Sequence, residues 1–400
     1  RPSPTPPLPD RPRTCDYGAG ASGTAAEVAD PGGWPLIGRE AELAALTGLL
    51  GPADGGRAGF AAVTGEPGIG KSRLVAELAT AAAGRGFAVL AGRCSEDTGA
   101  PPFWPWSGVL RDLAAVLGDD TVRDLADADV LAGLLPRTAA PVAAPVAAPP
   151  PDAGSPDAQR FRVSDAVTRV LAAASVRRPL LVVLDDLHWA DASSLRLLRH
   201  LAEHLVTARV LVVVTRRTHP EPSGVLAEAG AALARRHALR LDLPGLSAAG
   251  VTELVRAVTG AAPATQHAEA LRERTDGNPF FLVELLRLPA GGDIPAAVTD
   301  VVARRVDRLP DPARDLLRSA AVLGRRFDAD LLAAVAGADP DAVLDDLDPA
   351  LAAGVILEES EPGRFRFAHA LVHDVVYRAQ PATRRARRHA AAAAAVSGGG

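Results

Sequence analysis

The chain has 400 residues, a formal net charge of −5, 48% hydrophobic and 23% charged residues, proportions usual for a globular protein. They exclude a wholly disordered or collagenous polypeptide, and the mildly acidic balance provides no global attraction to nucleic acid or to an anionic membrane. The two cysteines, Cys15 and Cys94, form no CxxC pair, cannot build a zinc site or a disulfide framework, and suit a reducing cytoplasm.

Residues 1–33 are rich in Pro, Gly, Ala and Thr without an apolar period and are expected to be a disordered tail. Order is expected from Trp34, with a helical pattern at Leu43, Leu46, Leu49 and Leu50. The apolar run 60–64 reads as a buried strand that ends in a Gly-rich turn, and a helix follows from Lys71 with Leu74, Val75 and Leu78 on one face. A second strand is predicted at 87–91 and a helix at 107–117. Residues 136–159 form a Pro/Ala-rich segment that can neither continue a helix nor join a central strand, and read as an exposed insertion. The pattern resumes with a helix at 161–174, strands at 180–184, 210–214 and near 239–241, and a helix at 193–204.

Strands that read as continuous apolar runs and alternate with helices predict a parallel sheet covered on both faces. The α/β domain is expected over 34–243. Strands then disappear. A helical lid is predicted over 244–293, with helices at 247–259, 268–275 and 279–286. Three helical stretches and a strand pair at 355–357 and 364–367 predict a winged-helix domain over 294–378, followed by the start of a helical region at 379–400.

There is no apolar segment at the amino terminus that reads as a secretory leader, and no apolar run of the about 18 residues that a spanning helix needs. A cytoplasmic protein without membrane association is expected. Lys71 is the only lysine among 43 basic residues, Asn278 is the only asparagine, and methionine is absent. AT-rich codons have been purged, so whatever kept Lys71 and Asn278 is a candidate for chemical necessity. A chain without methionine is also expected to be a piece of a longer one.

Gly65-Glu66-Pro67-Gly68-Ile69-Gly70-Lys71-Ser72 matches GxxxxGK[ST] between a predicted strand and a predicted helix. Glycines let the loop wrap until its N–H groups point at phosphate, and the helix amino terminus adds a favourable dipole. Lys71 is placed on the β- and γ-phosphates and the Ser72 hydroxyl on Mg²⁺. Asp185 and Asp186 end the strand 180–184, where open α/β sheets bind ligands. Asp185 is expected to hold the Mg²⁺ hydration shell and Asp186 to orient or deprotonate the attacking water. Arg216, at the end of strand 210–214, is the expected γ-phosphate sensor, a solvated arginine being the other reading.

These motifs, with residues 36–40, 100–106 (APPFWPW), 184–191 (LDDLHWAD), 215–216, 277–280 (GNPF) and 367–372, resemble the ATPase core of the signal-transduction ATPases with numerous domains. The resemblance is to the branch of large ATP-binding LuxR-type transcriptional regulators, with related AAA-type proteins sharing the core, and it covers about 34–390. It implies that Ile37 and Arg39 lie by the adenine and ribose, that Pro279 packs on the adenine, and that His369 holds the ADP β-phosphate in a closed state. Pro279 as a helix start and His369 as a core histidine are the plainer alternatives. His188 and Trp189 are expected to pack behind the phosphate site.

Relatives continue into helical repeats and a DNA-binding helix-turn-helix. This chain stops soon after the winged-helix region, so DNA is expected to be reached only through regions absent from it. The basic cluster 384–389 is expected to be a solvated helix face. The leading expectation is an ATP/ADP switch with slow Mg²⁺-dependent hydrolysis that self-associates or engages partner domains on activation. A DNA-acting ATPase similar to origin-recognition proteins and a nucleotide-binding scaffold without turnover are the alternatives.

Overall fold

The computed structural model describes residues 35–96, 100–125, 128–131, 134, 155–219, 221–287 and 295–398. The expected tail 1–33 and the insertion up to residue 154 lie outside them.

Five strands, β1 (Gly59–Gly65), β2 (Ala88–Arg93), β3 (Leu180–Asp185), β4 (Val210–Arg216) and β5 (Leu239–Leu243), form one sheet in the order β2-β3-β4-β1-β5. Every pairing is parallel. The period of two along each strand divides the interior into two cores. Leu180, Val182, Leu184, Val210, Val212 and Val214 face the helices Trp104–Leu117, Pro156–Arg177, Ala192–His204 and Gly224–Arg235. Leu181, Val183, Leu211 and Val213 face the helices Glu40–Gly48 and Lys71–Gly84. The helix after β1 and the helix after β4 therefore cover opposite faces although their strands are neighbours. That arrangement opens a crevice at the carboxyl ends of β1 and β4.

Two of the helices that begin earlier than the sequence pattern suggests take a proline into their first turn. Trp104–Leu117 starts at the Trp-Pro-Trp stretch because Pro105 sits in the first turn, where its missing N–H costs nothing. Trp106 is thereby fully buried and donates its indole N–H to Ser194 O at 3.2 Å. Pro156–Arg177 likewise takes Pro156 into its first turn, and the Ser155 hydroxyl caps it by accepting from Ala158 N at 3.3 Å. Residues 155–159, assigned by sequence to the insertion, thus belong to the helix or its cap.

After β5 come the helices Ala248–Thr259, Thr265–Thr275 and Pro279–Leu286, around a small core of Leu246, Val251, Leu254 and Leu282 that also takes in Ile37. The turn before the last helix lies against the exit of β5: Leu246 N–H donates to Gly277 O at 2.8 Å. Gly245 is required there, since a Cβ would stand 1.8 Å from Asp276 O.

The remaining residues form a unit of helices Ala296–Asp307, Asp311–Leu323, Ala329–Ala336 and Pro340–Ala352 with a sheet ordered β6-β8-β7, from β6 (Arg326–Asp328), β7 (Ile356–Glu358) and β8 (Arg364–Phe367). Its pairings are antiparallel. Sequence pattern predicted three helices ahead of a strand pair here; among the described residues the structure has four helices ahead of that pair, and a third strand, β6. β6 is only three residues long and places a single side chain, Phe327, in the core, too little for an alternation to register. Asp339 separates the last two of these helices by capping the second, accepting from Asp341 N at 3.0 Å and Ala342 N at 3.4 Å. The helices Ala370–Arg378 and Ala382–Gly398 complete the unit. Arg388 of the basic cluster donates to Gln380 Oε1 at 2.9 Å and Ser319 Oγ at 3.2 Å, while Arg384 and Arg387 are exposed. Among the described residues no helix is long and apolar enough to cross a membrane.

The Trp106 packing sets a test of the sheet–helix core. Trp106→Ala is expected to lower stability by about 3–5 kcal/mol, and Trp106→Phe, which loses only the hydrogen bond and part of the ring, by about 1–2 kcal/mol. Urea denaturation midpoints of the two variants measure the difference.

Candidate functional site

β1 delivers the loop Gly65–Gly70 directly to the amino terminus of the helix Lys71–Gly84. A loop that turns its N–H groups inward exposes its carbonyls behind, and buried donors take them up. Lys71 Nζ donates to Gly65 O at 3.0 Å and Glu66 O at 2.9 Å. Asn278, fully buried, donates from Nδ2 to Pro67 O at 2.9 Å and accepts the N–H of Phe280 on Oδ1 at 3.1 Å. The same Phe280 N–H reaches Gly68 O at 3.3 Å. The GNPF turn is therefore both the cap of the helix Pro279–Leu286 and a clamp on the loop. Gly68 has φ +77° and a Cβ there would lie 2.6 Å from Phe280 Cβ.

Asp185 and Asp186 leave β3 beside the loop. Ser72 Oγ donates to Asp185 Oδ2 at 3.1 Å. Thr215, fully buried near the end of β4, donates to Asp185 Oδ1 at 2.5 Å and accepts the Asp186 N–H at 2.9 Å. One hydroxyl thus orients both acids. Sequence reasoning counted Thr215 among the residues of the resemblance but gave it no contact with the acids. The available clue was a hydroxyl ending the strand that neighbours the acidic one.

Burial raises the Asp186 carboxyl above its ordinary range, and the like charge of Asp185 adds to it, against Lys71, Arg93 and Arg217. Burial lowers the Lys71 ammonium, opposed chiefly by Asp186. His188 has its Nδ1 4.0 Å from Asp186 Oδ1, and burial with Arg217, Lys71 and Arg216 nearby pushes it down to about 3, so the ring is neutral at pH 7. Burial also drives the Cys94 thiol up to about 12, which leaves it inert.

Of these groups Lys71, Ser72, Asp186 and Arg217 line a cavity of about 510 Å³ between the loop and the lid, within the usual range for a small-molecule site; Asp185 is not in its wall and reaches it through Ser72. Residues 67–72, Asp186 and Arg217 line the polar end, and Ile37, Leu246, Leu254, Pro279 and Val283 line the apolar end. The division fits a phosphorylated nucleotide, with phosphates on the loop and base against the lid. Ser72 Oγ and the Asp185 carboxylate, already within hydrogen-bond distance, are hard oxygen donors that fit a partly hydrated Mg²⁺. Among the described residues no group of three or more His, Cys, Asp or Glu side chains forms a metal cage.

The expected residues do not all meet there. Ile37, Arg39 and Pro279 line the cavity, but Arg39 is buried and committed to Pro244 O and to Glu42 at 3.3 Å. Arg216 points away, donating to Arg217 O at 2.9 Å beside Arg240 and Asp242. The neighbouring Arg217 faces the phosphate end instead, because adjacent side chains at a strand end leave on opposite sides. His369 is also outside this cavity: its Nδ1 is 3.1 Å from Asp276 Oδ2 and its ring meets the edge of Phe281. Glu66 is held from the C-terminal unit by Arg305, whose Nη1 and Nη2 both lie 3.3 Å from Glu66 Oε2.

Two measurements address this geometry. Because the folded-state pKa of Asp186 is raised, its ionisation opposes folding from the unfolded-state pKa upward, in full above the folded one, and costs nothing once both states are protonated. Asp186→Asn is therefore expected to stabilise the nucleotide-free chain at pH 7, with the gain vanishing below about pH 4, read from denaturation midpoints across pH. Gly68→Ala is expected to destabilise by about 1–3 kcal/mol through the Phe280 contact. Gly56→Ala, also at positive φ but with nothing within 4 Å of the added Cβ, isolates the backbone contribution.

Residues 35–214 match the AAA ATPase domain family. An uncharacterized protein of Rhizobium meliloti is 26% identical over 389 residues, covering 87% of this chain and 36% of its own length, so the chain spans about a third of that relative. The Aeropyrum pernix ORC2 protein, solved in ADPNP and ADP complexes, shares the fold with a TM-score of 0.51 at 16% identity, over 88% of this chain and 98% of that one. A signal-transduction ATPase of Pyrococcus horikoshii with a tetratricopeptide-repeat sensor aligns with a TM-score of 0.40 and 15% identity, over 91% of this chain and 46% of its own. The family match, the fold likeness and the loop around Lys71 agree in supporting a P-loop ATPase domain over residues 35–214.

Proposed function

We propose that the chain is a nucleotide-driven switch, binding ATP and ADP with Mg²⁺ and hydrolysing ATP slowly, within a cytoplasmic regulator of the LuxR-type branch. The observation that carries this is the attachment of both following units to the phosphate loop itself. Asn278 and Phe280 of the lid hold Pro67 and Gly68, and Arg305 of the C-terminal unit holds Glu66. A loop that reshapes around a different phosphate load then shifts both contacts, which is the differential interaction a ligand needs to move a conformational equilibrium.

In this reading residues 65–72 bind the phosphates, with Lys71 on the β- and γ-groups. Ser72 and Asp185 hold Mg²⁺, which when bound neutralises charge on the phosphate oxygens. Asp186, kept in place through its backbone by Thr215, orients the attacking water and takes its proton on a carboxylate oxygen. Its raised pKa makes the carboxylate a stronger base than an ordinary aspartate. Arg217 takes the sensing position assigned by sequence to Arg216. Ile37, Pro279 and the lid enclose the base. The unit from Ala296 acts as a winged-helix switch element, with Asp276 and His369 bracing the turn behind the loop, and self-association or partner docking follows its release.

Nucleotide released on denaturing the purified chain tests the proposal. Near-stoichiometric ADP is expected from the wild type and none from Lys71→Ala. Turnover of added ATP is expected to fall about 100-fold or more in Asp186→Asn. Equal nucleotide content and turnover in wild type and both variants would remove the site assignment. Duplex binding that falls steeply with salt would move the reading to DNA.

A further inference from the structure

A second cavity, of about 270 Å³, adjoins the first and shares with it the wall formed by Pro67, Gly68, Arg217 and Phe280. Its chemistry differs. Arg304, Arg305 and Arg308, all from the region of the helix Ala296–Asp307, converge there with Arg217 from the end of β4. Arg217 and Arg308 both lie over the Trp189 ring, each guanidinium carbon 5.3 Å from its centroid. The carboxylates that answer these four cations are Glu96, paired with Arg308, Glu66, paired with Arg305, and Asp186, the main opposite charge near Arg217.

Four guanidinium groups against three carboxylates leave one positive charge in excess. Arg217 has no salt-bridge partner among the described residues, and Arg304 is tied only to Asp300 O of its own helix at 3.3 Å. Burial works against the charge on Arg217 and on Arg305, so an anion would relieve both. Exposure also grades across the cavity: Arg305 is 19% exposed and Arg308 50%, so the charges run from the loop wall to solvent.

We infer that this second cavity is an orthophosphate site, binding the dianion beside the nucleotide cavity through Arg217, Arg304, Arg305 and Arg308. The inference rests on the nucleotide reading of the neighbouring cavity. Planar guanidinium forks match phosphate oxygens in geometry as well as charge, and the volume suits a small anion rather than a second nucleotide. The phosphate has two available sources, the group cleaved from ATP next door and free phosphate from solution.

The test is calorimetric titration of inorganic phosphate into the ADP-loaded full chain at constant ionic strength, with bound ADP quantified in the same samples. One site is expected. Its affinity should fall about tenfold or more in the exposed double variant Arg304→Gln/Arg308→Gln and rise in Glu96→Gln, which releases Arg308 from its partner. Equal affinity in all three proteins, or no phosphate binding to a chain that holds ADP, overturns the site. Failure to hold ADP overturns the nucleotide reading on which it rests. A single-turnover measurement separates the sources: a lag between cleavage of ATP and appearance of phosphate in solution, shortened in the double variant, assigns the cleaved group. Binding without a lag assigns free phosphate.

Discussion

A phosphate-binding loop with its N–H groups turned inward has its carbonyls turned outward, and buried carbonyls need donors. Everything else about this molecule's centre follows from how that requirement is met. The sole lysine takes the carbonyls of Gly65 and Glu66, the sole asparagine takes that of Pro67, and a backbone N–H in the same turn takes that of Gly68. Two of these donors arrive from a lid more than two hundred residues along the chain. The loop is consequently not a self-contained motif: its shape is a property shared by the parallel sheet and the lid.

The acidic side of the site is organised by the same economy of hydrogen bonds. Thr215 sits where β4 runs beside β3, and its hydroxyl serves Asp185 as donor and the Asp186 N–H as acceptor. Asp185 is thereby turned to Ser72. Asp186, with φ +58°, sits in partly buried surroundings beside a like charge. The two carboxylates receive different environments from one hydroxyl and one turn, which is how neighbouring acids come to differ in proton affinity.

Charge also carries the link to the C-terminal unit. Glu66 lies within the loop, and Arg305 reaches it while also donating to Ala353 O, so one guanidinium spans loop and unit. Around it, Arg217 and Arg308 share the Trp189 ring. This contact layer is polar and partly solvated, unlike the apolar cores on either side. Interfaces of that kind separate at modest cost, whereas packed cores do not.

The sheet strands were legible in the sequence because a central parallel strand is apolar on both faces and therefore continuous in composition. The phosphate loop and the paired acids were legible because their chemistry demands fixed residue types at fixed spacing, and the rarity of Lys71 and Asn278 marked both before any contact was known. What Asn278 does was not readable, since its partner Pro67 is 211 positions away. The same holds for Arg305 and Glu66, 239 positions apart. β6 was too short to show a period. That Arg217 and not Arg216 lines the cavity turned on the direction in which a strand ends, and the attachment of His369 to Asp276 on how two units pack. Local pattern and chemical necessity determined the elements and the loop. Only the tertiary structure decided which distant side chains satisfy that loop's buried carbonyls, because hydrogen-bond partners are chosen by proximity in space and not by order in the chain.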